Sequence, residues 1–155
     1  MNSNLIQVVQ HLKPGGIETL ALELDKLNTD QIGQHYILSL EGNKADALKK
    51  WPRLQEVASR LIFMDKAPGF KPGLIVQLAR LFRELKIATV HSHHIGPLLY
   101  AGAAARLARV PHLIHTEHDA WYLSNKATCR LQKRLLSLLK PKVVADAKRV
   151  ALDIS

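Results

Sequence analysis

The sequence predicts an α/β fold: a mainly parallel sheet of six strands with helices on both faces. Three observations predict it. Short apolar runs of strand length recur six times, separated by segments with helical spacing, the alternation that builds parallel sheets. Two of these runs switch abruptly to polar residues, at Val90-His91-Ser92-His93-His94 and at His115-Thr116-Glu117-His118-Asp119. The segment between them has crossover length, which favours parallel strands whose C-terminal ends open on one edge. In open α/β sheets that edge is where ligands bind.

In chain order, Leu5–Val9 is the first strand, and Pro14-Gly15-Gly16 turns into a helix. Ile17, Leu20, Ala21, Leu24 and Leu27 share one face of that helix by their i, i+3, i+4, i+7 spacing. Gly33 closes the unit, and Tyr36–Leu40 is the second strand. Glu41-Gly42-Asn43 turns the chain into a helix over Lys44–Lys50, which Pro52 breaks. Leu61–Met64 is the third strand. Pro72 opens an amphipathic helix bearing Leu74, Ile75, Leu78, Leu81, Phe82 and Leu85. Ala88–Ser92 and His112–Thr116 are strands four and five. Between them Pro97 suits a first helical turn, and Ala101, Gly102, Ala103, Ala104 and Ala105 keep the helix thin enough to press closely on a sheet. A helix over Asn125–Leu139, ended by Pro141, leads to a sixth strand at Val143–Ala145. A last helix starts near Lys148 and has no room to finish, which predicts the first domain of a longer protein or a chain cut at a domain boundary.

The 155 residues suffice for one domain with a core, and 47% hydrophobic content is that of a globular chain. Cys129 is the single cysteine, so an internal disulfide is excluded and a reducing, cytoplasmic setting fits. The opening MNSNLIQVVQ has neither the basic nor the long apolar stretch of a secretory signal. Residues 87–105 lack acids, Lys and Arg, yet His91, Ser92, Gly96 and Pro97 mark strand, loop and helix rather than a membrane span. The formal net charge of +9 points to anionic partners such as nucleotides, phosphorylated substrates, nucleic acid or an acidic membrane.

Four features carry the chemistry. The two glycines of the Pro14-Gly15-Gly16 turn let backbone N–H groups approach a phosphate or sugar at a helix start; the alternative is a plain tight turn. Glu18 just inside the helix would repel a bare phosphate, which favours a hydroxyl-rich ligand. The dinucleotide fingerprint GxGxxG is absent. The histidine spacings HxH (His91, His93) and HxxH (His115, His118) resemble metal ligands, but cysteines and loop acids are too few to support them, and neutral histidines donating to hydroxyls or phosphate oxygens account for them better. On the Asn125–Leu139 helix, Lys126, Arg130, Lys133 and Arg134 form one stripe and Leu131, Leu135, Leu138 and Leu139 another, a surface for an anionic membrane or simply a solvated face. No nucleophile–base triad is evident.

Taken together, Pro14-Gly15-Gly16-Ile17-Glu18, Ile32-Gly33-Gln34-His35, Val90-His91-Ser92-His93, Val110-Pro111 with His115-Thr116-Glu117-His118-Asp119, and Lys142-Val143-Val144-Ala145 resemble, in order and spacing, the N-terminal half of family-4 retaining glycosyltransferases. After the last of these the family usually has Val-Ser, where Asp146-Ala147 stands here. The resemblance implies GT-B architecture, two Rossmann-like domains facing across a cleft, with residues 1–155 as the N-terminal, acceptor-side domain. It implies a sugar moved from a nucleotide-sugar donor to a glycan or lipid-linked acceptor with retention, in envelope polysaccharide or glycolipid synthesis, without a cofactor or metal. By the same resemblance Gly15 and Gly16 approach the donor, and His118 contacts the transferred sugar or diphosphate with Asp119 orienting it. His93 and His94 line the acceptor side. The expected location is cytoplasmic, with the basic helix as a candidate peripheral contact to the inner face of the cell membrane. Two other functions compete: a metal-dependent hydrolase using the HxH and HxxH histidines, and a non-catalytic basic adaptor for membrane or nucleic acid. Against nucleic acid as a partner, the basic residues are spread along the chain and no recognised binding motif occurs.

Overall fold

In the computed structural model, which describes residues 3–27, 33–117 and 125–145, six strands form one sheet. They are β1 (Asn4–Val9), β2 (His35–Ser39), β3 (Leu61–Phe63), β4 (Ile87–His93), β5 (His112–Glu117) and β6 (Lys142–Ala145). Their order is β3-β2-β1-β4-β5-β6, and every pairing is parallel. This is the Rossmann-like order, in which chain direction across the sheet reverses between β1 and β4.

Helices cover both faces. Side chains alternate along a strand, so Ile6 and Val8 leave β1 on one face and Gln7 and Val9 on the other. The first face, with Leu38, Val90 and Leu113, packs against α3 (Pro72–Glu84), α5 (Ala103–Leu107) and α6 (Lys126–Leu139). The second, with Ile37 and Leu61, packs against α1 (Gly16–Leu27) and a 3₁₀ segment (Pro52–Arg60) that follows α2 (Lys44–Lys50).

The structure changes several expected boundaries. Pro52 does end α2, but it also opens the 3₁₀ segment, where it sits at the start with no N–H to lose. The helix after β4 is composite: α4 (Ile95–Pro97), a π-helical stretch (Leu98–Gly102) and α5 follow without a break. Strand β4 runs on to His93 and β5 to Glu117, beyond the apolar runs, with His93 paired to Thr116. Polar residues stay in the ladder because their side chains find buried partners there.

The small residues after Pro97 do bring the helix close. Ala101, Ala104 and Ala105 are wholly buried, and a Cβ on Gly102 would lie 2.7 Å from Leu139 Cδ1. Asn125 is the N-cap of α6, its side chain accepting from the backbone N–H groups of Ala127 and Thr128. Of the two stripes expected on α6, the leucine one divides. Leu135 and Leu139 are buried, whereas Leu131 and Leu138 are exposed. The helix expected from Lys148 and the aromatic pair Trp121-Tyr122 lie outside the described residues.

Candidate functional site

Because every strand is parallel, the turns after β1, β2, β4 and β5 open on the same edge. The turns after β1 and β4 are neighbours there, at the crevice where the strand order reverses. Gly15 and Gly16 lie exposed in the first of these turns. Glu18 folds back beneath them: it is buried, its Oε1 stands 3.3 Å from His11 Nδ1, and a Cβ on Gly15 would lie 2.4 Å from its Oε2. A Cβ on Gly16 would meet nothing within 4 Å. The turn thus presents backbone N–H groups and helix-dipole charge with a carboxylate close behind, a setting for hydroxyls as well as phosphate oxygens.

Gln10 joins this turn to its neighbours. Its Nε2 donates to Glu41 Oε1 at 2.7 Å, beyond β2, and a Cβ on Gly96 of α4 would lie 2.2 Å from its Oε1. On the β2 side the edge holds a cleft of about 520 Å³ walled by His11, Lys13, Glu41, Asn43, Asp46 and Lys50.

Beyond β4 the histidines separate into two settings. His93 is 1% exposed; its Nε2 donates to Gln7 Oε1 at 3.0 Å, and Gln7 Nε2 donates to the Ala21 carbonyl at 2.8 Å. It therefore locks β4 to β1 and α1 from inside. His91 stacks on it, with ring centroids 4.2 Å apart, and its Nε2 is 2.6 Å from Thr116 Oγ1. On the opposite face of the sheet, Ser92 Oγ is 2.9 Å from His115 Nδ1, and His115 Nε2 is 3.2 Å from Glu117 Oε2. Glu117 Oε1 is in turn 3.2 Å from His94 Nδ1, with the His94 side chain 27% exposed. His94 has φ 73 and ψ 168, a backbone region nearly reserved for glycine that costs of order 1–3 kcal/mol elsewhere. Its N–H donates to the Thr116 carbonyl at 3.3 Å.

Of the residues expected at the site, Gly15, Gly16, His93 and His94 therefore stand on adjoining strand ends at one edge. His118 and Asp119 lie outside the described residues. The structure adds Glu117, His115, Ser92, Gln7 and Gln10. An acid ending an apolar run, on the same face as Leu113 and His115 by the two-residue period of β5, was the one signal for Glu117. Ser92, His115 and Glu117 have the order of a nucleophile triad, but all three are 0% exposed, so the hydroxyl can reach no substrate. Among the described residues, which do not include His118 of the HxxH pair, no group of three His, Cys, Asp or Glu side chains could hold an ion.

The model of Glycosyltransferase Family 4 matches residues 14–151, nearly the whole chain. The chain belongs to this glycosyltransferase family. Its match begins at Pro14 of the glycine turn and runs through both histidine-bearing strand ends. None of the curated proteins matches the chain. Membership of a glycosyltransferase family implies sugar-containing substrates. No described helix is long and apolar enough to cross a membrane.

Proposed function

We propose that this glycosyltransferase domain is the acceptor-side half of a GT-B enzyme that moves a sugar from a nucleotide-sugar donor to a glycan or lipid-linked acceptor with retention of configuration. Envelope polysaccharide or glycolipid synthesis on the cytoplasmic side of the membrane is the setting it suits. The observation that carries the reading is the meeting of an exposed glycine turn and the His94 strand end at the β1–β4 crevice, with the Glu18 carboxylate under the turn. Donated backbone N–H groups suit the diphosphate, and the carboxylate with the neighbouring imidazole suits sugar hydroxyls. In this reading the donor is a substrate, and protein donors alone meet the charge on the departing nucleotide, with no cofactor or metal. His118 is assigned to that charge, with Asp119 orienting its ring. The exposed basic side of α6 is assigned to peripheral contact with an anionic membrane.

The test is transfer by the complete protein against a panel of nucleotide sugars, with the anomeric configuration of the product read by NMR. Retention is expected, and His118→Ala lowers turnover by about 10²-fold or more, the loss for an oriented charge-stabilising donor. Residues 1–155 alone are expected to turn over no donor, because half a cleft supplies half the contacts. Transfer by the isolated chain, or an inverted product, would overturn the reading.

A further inference from the structure

We propose that the cleft beside the glycine turn is a subsite for an acceptor sugar that carries an anionic group, a carboxylate or a phosphate, with Lys13 and Lys50 as its counter-ions. The proposal rests on the reading of this chain as an acceptor-side domain.

The cleft has the size and composition of a small-ligand site, about 520 Å³ with apolar and polar lining side by side. Lys13 and Pro14 belong to its wall and directly precede Gly15 and Gly16. Glu41, also on the wall, accepts from Gln10 of the same turn at 2.7 Å. The turns after β1 and β2 are thereby joined around one hollow. A sugar ring seated there lies next to the turn assigned to the donor.

Leu12 and Phe63 line the cleft from the second core and offer apolar surface to the C–H face of a ring. The polar groups differ in what they leave unused. Glu41 Oε1 is taken by Gln10 Nε2, and Asp46 Oδ2 accepts from Asn43 Nδ2 at 2.9 Å. Glu41 Oε2 and Asp46 Oδ1 meet no described group and can accept ring hydroxyls. The ammonium groups of Lys13 and Lys50 pair with no described residue. Lys50 follows Asp46 by four residues on α2, the favourable order for an ion pair, yet that pair is not made. On the same half of the sheet Lys26, Arg53 and Arg60 all reach acids. Lys44 and Lys49 add to Lys50 on α2, where Asp46 is the only acid, so the wider field also favours an anion. Two unneutralised lysines on a wall whose carboxylates are already amide-bonded select a hydroxyl-rich ring with one negative substituent.

The test titrates the chain with glucuronate, glucose 6-phosphate, glucose and inorganic phosphate, following backbone amides by ¹H–¹⁵N NMR. The acidic sugars should shift the amides of Lys13, Asn43, Ala47 and Lys50 and bind about tenfold more tightly than glucose, the effect of two exposed charge contacts. A preference confined to one of the two acids assigns the substituent as carboxylate or phosphate. The double variant Lys13→Gln, Lys50→Gln should bring the acidic sugars to the level of glucose. Equal binding of glucose and both acids would overturn the proposal, as would no shift at these amides with any sugar. Inorganic phosphate binding as tightly as glucose 6-phosphate would also overturn it, since the ring would then contribute nothing. In the complete protein, acceptors ending in the preferred acidic sugar should show a KM about tenfold below neutral ones, and equal KM values would remove the acceptor assignment. Absence of transfer by the complete protein to any acceptor would instead remove the proposed function and leave the binding result standing.

Discussion

A methyl group at Gly16 would project into open space, whereas one at Gly15 would lie 2.4 Å from Glu18 Oε2. The two glycines therefore differ in what a side chain would meet. Gly15→Ala must push a buried carboxylate off its place beside His11 and should cost stability. Gly16→Ala meets no atom, and losing a glycine at the first helical position leaves stability unchanged or raises it by up to about 1 kcal/mol. On the proposed role of this turn in donor binding, the same methyl in the complete protein would stand between the backbone N–H groups and the donor. Gly16→Ala is thus expected to keep its melting temperature while raising donor KM, read by thermal unfolding and initial rates on one preparation. The glycine pair and the histidines were legible as residue types at a strand end. The Glu18 contact, the Gln10 bridge and the Glu117 string were not, because each depends on which residue a neighbouring strand or turn sets opposite, and the one-dimensional pattern does not carry register.

At the scale of elements, the strands and their parallel arrangement followed from apolar runs and crossover lengths. The 3₁₀ segment and the π stretch did not, since shifting a hydrogen bond by one residue leaves apolar spacing almost unaltered. Gly102 shows why the π stretch must stay thin. A Cβ there would lie 2.7 Å from Leu139 Cδ1, 3.2 Å from Leu98 Cδ1 and 3.7 Å from Leu113 Cδ2, so α6, the helix itself and β5 all converge on one hydrogen atom. Arg106 secures the same junction, its Nε donating to the Leu139 carbonyl at 2.7 Å. Overpacking at such a place costs about 1–3 kcal/mol. Gly102→Ala is expected to lower the melting temperature by about 3–10 °C at this chain length.

At the scale of the whole molecule, the +9 charge is unevenly spent. Lys26, Arg53 and Arg60 pair with acids on the β2–β3 side. On α6, Lys126, Arg130, Lys133 and Arg134 are exposed on a helix that contains no acid, and none of them pairs with a described residue. Leu131 and Leu138, the latter 77% exposed, lie along the edge of the same surface. A solvated face would have little use for those leucines, whereas an anionic lipid surface takes both kinds of side chain. Each basic residue near such a surface is worth roughly 1 kcal/mol, so four supply about 4 kcal/mol, a weak and reversible attachment that salt removes. The chain is therefore expected to co-sediment with vesicles containing phosphatidylserine at low salt, to release at high salt, and to ignore neutral phosphatidylcholine vesicles. Replacing Arg130, Lys133 and Arg134 with Gln should abolish the binding, and Leu138→Ser should weaken it less, since one leucine contributes less than three charges. Equal partitioning to both vesicle types, or none, would make α6 a solvated face and favour a soluble acceptor.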